Sequence, residues 1–332
     1  MSLREEYRAS LKCREVEEPI DLWLHRPIAF LLAKVAARTP VTPNQLTAVS
    51  LVIGVAGGAM LVVNQPYARW VAAALIVVSA VVDCADGMLA RMTKRTSDLG
   101  RMLDGCADAV TGFVAVVGSA FVIFKLYPRP TYMPAIIVAV AYVTVRSSLL
   151  HTIAYDHYKN LFMRLTVRGT ADTEDLEQAR VRYRQEKERP RTLLVRGAWR
   201  VYLDYLKGQR QFIRWFDPYS VVRMNQLPAW SETVAETYRR RSLRLMHVWR
   251  SAFGVGSLVF GFALFNAFGR PDLLLAYRLI LMNAVFFLYL MPAQRRASRE
   301  AFRELGVSRE KTAPGPKPTD EPWATETHEK HA

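Results

Sequence analysis

The sequence predicts an all-α integral membrane protein: six transmembrane helices, an N-terminal interfacial amphipathic helix and a helical cytoplasmic insertion. Three observations lead there. The 332 residues are 51% hydrophobic, and the apolar residues arrive in blocks near the length of about 20 that crosses a bilayer core. Between the blocks the chain is strongly basic, with a formal net charge of +15. The basic residues fall almost entirely in alternate connections, as the positive-inside pattern requires of a chain that crosses repeatedly.

Residues 1–41 are read as a cytoplasmic N-terminus and interfacial helix. The opening MSLREEYRASLKCREVEEPI is charged throughout and lacks the apolar core of a cleavable secretory signal. Asp21–Arg38 interrupts its apolar residues with His25, Arg26, Lys34 and Arg38. It is too short and polar to span, and is expected to lie in the interface with its basic residues near lipid phosphate. Thr42 before Pro43 has the form of an N-cap followed by a first-turn proline, so a helix should start there. Segment 42–154 carries four spans, Leu46–Val63, Trp70–Ala90, Met102–Phe124 and Tyr132–Ala154. Segment 248–292 carries two more, Trp249–Phe268 and Leu273–Met291, the first reaching to the segment's start within a residue.

With the N-terminus inside, the outer connections hold only Arg69, Lys125, Arg129 and Arg270, while the inner loop Arg91–Arg101 alone holds four basic residues. Membrane topology and anionic lipid therefore account for the charge, and nucleic-acid binding is not expected. The orientation points to a multi-pass protein of a bacterial or archaeal inner membrane.

Residues 155–247 form a basic insertion, with 19 Lys plus Arg against 11 Asp plus Glu across Tyr155–His247. Asp172–Glu188 reads as a charged surface helix that Pro190 should end. Between Trp199 and Trp230, aromatic residues alternate with Arg and Lys; this suits either a membrane–water interface or a small helical subdomain with its own aromatic core. The basic tail, 293–332, ends in a Pro-, Thr- and charge-rich stretch expected to be disordered. Cys13, Cys84 and Cys106 are scattered without a CxxC pair or companion histidines, which suggests neither a disulfide framework nor a zinc site.

The chemistry is concentrated in DCADGMLARMTKRTSDLGRMLDGCAD, Asp83 to Asp108. Asp83 and Asp86 share a helix face at the end of the second span; Asp104 and Asp108 share one at the start of the third. Four carboxylates at a membrane surface are costly unless paired or metal-bound. Oxygen donors without histidine favour Mg²⁺ or Mn²⁺ over zinc or copper, and four carboxylates suffice for two ions. Gly87 and Ala90 leave small surfaces by which a bulky ligand could approach the backbone. Arg91 offers a planar cation suited to phosphate, and Gly100 allows a tight entry into the third helix.

These residues resemble the signature of the CDP-alcohol phosphotransferases, D-x2-D-G-x2-A-R-x8-G-x3-D-x3-D, at all its fixed positions: Asp83, Asp86, Gly87, Ala90, Arg91, Gly100, Asp104 and Asp108. TPNQLT at Thr42–Thr47 also resembles the segment that opens the family's first span. The resemblance is strong over about residues 20–155, loose over the last two spans, and does not extend to the insertion. It implies that Asp83, Asp86, Asp104 and Asp108 hold the metal, that Asp108 also takes the proton of an acceptor hydroxyl, and that Gly87, Ala90, Arg91 and Gly100 bind the CDP moiety. The implied reaction is attack of that hydroxyl on the phosphorus distal to cytidine, releasing CMP.

The expected donor is CDP-diacylglycerol, with a soluble alcohol or alcohol phosphate as acceptor, because a basic inner surface attracts an anionic acceptor. Transfer of a head group from a soluble CDP-alcohol to a lipid hydroxyl is the alternative. A cation transporter would explain buried acids but not the ordered Gly, Ala and Arg among them; a lipid-binding scaffold would not need four acids. Arg146 in the fourth span is a candidate for the acceptor site, as are Arg278 and Asn283 in the sixth. The family resemblance also implies a possible homodimer.

Overall fold

The computed structural model describes residues 3–11, 13–63, 65–95, 98–126, 132–169, 176–187, 193–222 and 226–307. The described residues form helices and no strands. In chain order these are α1 (Leu3–Ser10), α2 (Arg26–Ala36), α3 (Pro43–Met60), α4 (Pro66–Met92), α5 (Asp98–Leu126), α6 (Met133–Thr166), α7 (Leu176–Lys187), α8 (Leu193–Phe216), α9 (Glu232–Ala252), α10 (Val255–Ala267), α11 (Pro271–Ala276) and α12 (Met291–Glu304). Two π-helical stretches, Tyr277–Met282 and Val285–Leu290, carry the chain from α11 to α12.

Six helical segments are long and apolar enough to cross a membrane: Pro43–Val63, Pro66–Met92, Met102–Leu126, Pro134–Thr166, Glu232–Ala267 and Pro271–Glu304. They match the six expected spans in order, and each is longer than expected. The apolar stretch fixes where a helix meets lipid; its backbone hydrogen bonds let it continue into polar sequence at either end. Large apolar residues such as Val52, Phe113, Val138, Ile280 and Leu288 are exposed on these segments, which suits helices whose outer faces meet lipid.

The chain forms two compact units, residues 1–163 with 242–293, and residues 164–241 with 294–332. In the first, α3 begins as its sequence demands. The Thr42 side chain accepts from Gln45 N while the Gln45 side chain accepts from Thr42 N, and Pro43 occupies the first turn. α3 packs against both α4 and α5 through small residues. A Cβ on Gly54 would fall within 3 Å of Ser79 on α4 and Thr111 on α5, and one on Gly58 would meet the α5 backbone at Val114 and Ala115. Interhelical hydrogen bonds supplement this packing: Ser79 Oγ donates to Ser50 O at 2.7 Å, and Asn266 Nδ2 to Ser119 Oγ at 2.7 Å.

α2 lies against α4, with Ala29, Phe30, Ala33 and Ala36 buried on Val81, Val82, Ala85, Met88 and Leu89. Here the structure departs from expectation. His25 and Arg26 turn inward and are buried, Arg26 pairing with Glu17 at 2.8 Å. The outward face carries Trp23, Ile28, Leu31 and Val35 instead. The cause is the acidic segment before the helix: Glu17, Glu18 and Asp21 are themselves buried and supply the counter-charges. Glu18 accepts from Gly256 N, Ser257 N and Ser257 Oγ at 2.8–3.1 Å, in the first turn of α10. Burial, followed by the charge of Asp21, raises the Glu18 carboxyl above its ordinary range.

The second unit has its own core, including Tyr183, Trp199, Leu203, Ile213, Phe216, Tyr238 and Phe302. Ser298 Oγ donates to Asp217 Oδ2 at 2.6 Å, and Arg241 pairs with Glu300 at 2.7 Å. Trp199 and Phe216 are thus core residues, while Trp215 is exposed. The described helix α7 covers part of the expected Asp172–Glu188; residues 172–175, Glu188 and Pro190 lie outside the described residues, as does the stretch from Thr312 to the end of the tail.

Candidate active site

Asp83 and Asp86 stand in the C-terminal half of α4, and Asp104 and Asp108 near the start of α5. α4 ends in a Schellman turn: Arg95 N donates to Ala90 O at 2.9 Å and Lys94 N to Arg91 O at 3.3 Å, with Lys94 at φ +54°. Lysine fills a left-handed position usually held by glycine, so α4 stops before the loop that turns the chain into α5.

A carboxylate oxygen from each of Asp83, Asp86 and Asp104 lies within 4.8 Å of the other two. Asp86 is buried, and Asp83 and Asp104 are half-buried. Asp108 is exposed and falls outside that triangle, but lies close enough to Asp83 to act on it electrostatically. The sequence-predicted acids therefore gather as three converging carboxylates beside one accessible one. A hard divalent cation fits this all-oxygen donor set.

Sequence reasoning noted Thr47 only as part of an opening segment. In the structure its hydroxyl donates a hydrogen bond to Asp86 Oδ2. The signal was available in outline, since Thr47 lies one turn inside a helix whose start the cap defines, but which acid it would meet depended on packing.

Of the CDP-binding candidates, Gly87, Ala90 and Arg91 occupy the next turn of α4, whereas Gly100 lies in the first turn of α5, inside the helix rather than before it, because α5 already begins at Asp98. A Cβ added to Gly87 would point toward the Arg91 guanidinium, 3.5 Å from Nη1, so the missing side chain leaves the backbone open beside that cation. Arg91 Nε donates to Ser10 O at the end of α1 at 2.8 Å, and its buried Nη2 has no hydrogen-bond partner among the described residues. Ala90 and Gly100 are half-buried.

The three more distant candidates separate. Arg146 is exposed on α6. Arg278 is buried, with Nε donating to Ser148 Oγ at 3.3 Å and Nη1 to Ala252 O at 3.0 Å. Asn283 donates to Ser147 Oγ at 2.8 Å. Arg278 and the half-buried Asn283 thus join spans of the bundle to one another.

Residues 40–167 match the family model described as CDP-alcohol phosphatidyltransferase. The chain is 40% identical over 76 residues to a protein of Cereibacter sphaeroides named CDP-diacylglycerol–glycerol-3-phosphate 3-phosphatidyltransferase. That stretch is 23% of this chain and 34% of the relative, so the match spans about a third of the relative's length. All eight residues read from the sequence as the signature fall inside the matched region.

Proposed function

We propose that this chain, which carries a CDP-alcohol phosphatidyltransferase domain at residues 40–167, transfers a phosphatidyl group from CDP-diacylglycerol to the hydroxyl of an acceptor alcohol phosphate and releases CMP. The convergence of Asp83 and Asp86 from α4 with Asp104 from α5 carries the proposal. The name of the relative supports the donor and favours glycerol 3-phosphate as acceptor.

The carboxylates of Asp83, Asp86, Asp104 and Asp108 would hold Mg²⁺ or Mn²⁺, in all two ions. Such ions neutralise charge on a diphosphate when bound. The remaining work belongs to the chain. Arg91, adjoining the open backbone of Gly87, binds the diphosphate, with Ala90 and Gly100 bordering the nucleotide. Asp108, the accessible carboxylate, takes the proton of the acceptor hydroxyl as its oxygen attacks the distal phosphorus. The bond from that phosphorus to the CMP oxygen breaks, and CMP leaves with the electron pair. The basic connections, including Lys94 and Arg95, draw the anionic acceptor to a cytoplasmic face of the inner membrane.

The test is CMP release from CDP-diacylglycerol by the purified chain, with glycerol 3-phosphate, inositol phosphate and other acceptors, with Mg²⁺, Mn²⁺ or chelator, beside Asp108→Asn. Metal-dependent release with one acceptor, abolished in the variant, is expected. No release with any acceptor rejects this donor. CDP-linked head groups with lipid hydroxyls then test the reverse arrangement.

A further inference from the structure

Cys84 has no cysteine or histidine near it in the chain, which is why no zinc pattern is legible in the sequence. The fold supplies its partners. Where the π-helical turn Asp21–His25 leads into α2 and packs on α4, a carboxylate oxygen of Asp21, a ring nitrogen of His25 and Cys84 Sγ come within 4.8 Å of one another. His25 is fully buried; its Nδ1 lies 2.8 Å from Asp21 Oδ1, and its Nε2 has no hydrogen-bond partner among the described residues. A buried imidazole oriented by a neighbouring carboxylate is an arrangement that metal centres use.

The donor chemistry differs from that of the carboxylate triangle. One nitrogen, one sulfur and one oxygen suit zinc or another thiophilic divalent ion, whereas magnesium takes oxygen alone. The charges also balance. Arg26 is already paired with Glu17, and Glu18 is held by the first turn of α10, so the Asp21 carboxylate and a Cys84 thiolate remain to neutralise a divalent ion. Cys84 follows Asp83 directly, but successive residues of a helix stand about 100° apart around its axis. The two side chains therefore serve different faces of α4. We propose that Asp21, His25 and Cys84 form a second metal centre, for zinc or a similarly thiophilic ion, that pins α2 to α4 and is separate from the carboxylate site.

The test uses the full chain in detergent with Cys13→Ser and Cys106→Ser, leaving Cys84 as the sole thiol. The protein is stripped with chelator and titrated with Co²⁺ in excess Mg²⁺. One equivalent of Co²⁺ should bind with a thiolate-to-cobalt charge-transfer band in the near ultraviolet. Zinc should displace it and protect Cys84 from alkylation. The band should persist in Asp86→Asn, which leaves this centre intact, and vanish in His25→Gln. No band and no protection in the folded sole-thiol protein would overturn the proposal, as would a band that survives both His25→Gln and Asp21→Asn. The decisive reading is made on protein that retains all three residues, so a variant that fails to fold does not remove it.

Discussion

Replacing Thr47 with valine keeps the shape of a buried side chain and removes one hydroxyl. That hydroxyl has a single proton and two oxygens within reach, Asp86 Oδ2 and Pro43 O, the latter at 3.2 Å. The carboxylate is the stronger acceptor, so the proton points at Asp86. A hydrogen bond to a charged group contributes about 1.5–3 kcal/mol, which at about 1.4 kcal/mol per factor of ten corresponds to roughly 10- to 150-fold. Thr47→Val should raise the Mg²⁺ concentration for half-maximal CMP release, or lower kcat/KM at saturating metal, by a factor in that range. Thr47→Ser should restore most of it, because the hydroxyl returns while the methyl is lost. An unchanged metal requirement and unchanged kcat/KM in Thr47→Val would refute the assignment of Thr47 as the residue that positions Asp86. Equal loss in the serine variant would attribute the effect to packing of the methyl instead.

Three further outcomes follow from the same framework. Gly58→Ala places a Cβ within about 3 Å of α5 backbone atoms; overpacking of this kind costs about 1–3 kcal/mol and should lower the thermal midpoint in detergent. Arg26→Met leaves the Glu17 carboxylate buried without its guanidinium; breaking such a pair costs about 3–5 kcal/mol, and restoring neutrality with Glu17→Gln in the same chain should recover part of the midpoint. Glu18 has a carboxyl whose folded pKa is raised, first by burial and then by Asp21. Its contribution to stability is therefore fully present below the unfolded carboxyl range, near pH 4.3, and is lost as pH rises through the folded value. The midpoint of Glu18→Gln relative to the parent should accordingly rise as pH increases above the unfolded carboxyl range, and a constant difference would contradict the assignment.

The six spans were legible because hydropathy and alternating charge are summed over about 20 residues and survive local exceptions. The cap at Thr42 was legible because it is a contact between residues three apart. The candidate acids were legible through spacing: intervals of three and four put each pair on one helix face. What the sequence withheld depends on which helix packs on which. The inward turn of His25 and Arg26 required knowing that Glu17, Glu18 and Asp21 are buried beside them. The meeting of Cys84 with His25 joins positions on two different helices, and no local pattern marks it.

The same distinction explains how the acids are held. α3 bears no acid, yet it packs against both helices that do. Thr47 meets Asp86 at its start, and seven residues later Gly54 lies against Ser79 of α4 and Thr111 of α5. Ser79 precedes Asp86 by seven residues, and Thr111 follows Asp104 by seven. At about 1.5 Å per residue, all three helices traverse the same interval of about 10 Å between these two levels, α4 running opposite to α3 and α5 alongside it. Two turns away from the carboxylates, the absence of a side chain at Gly54 thus sets how closely α4 and α5 approach the helix between them. The carboxylate spacing is fixed at that distance as well as at the acids, so a side chain at Gly54 would disturb the site without touching it.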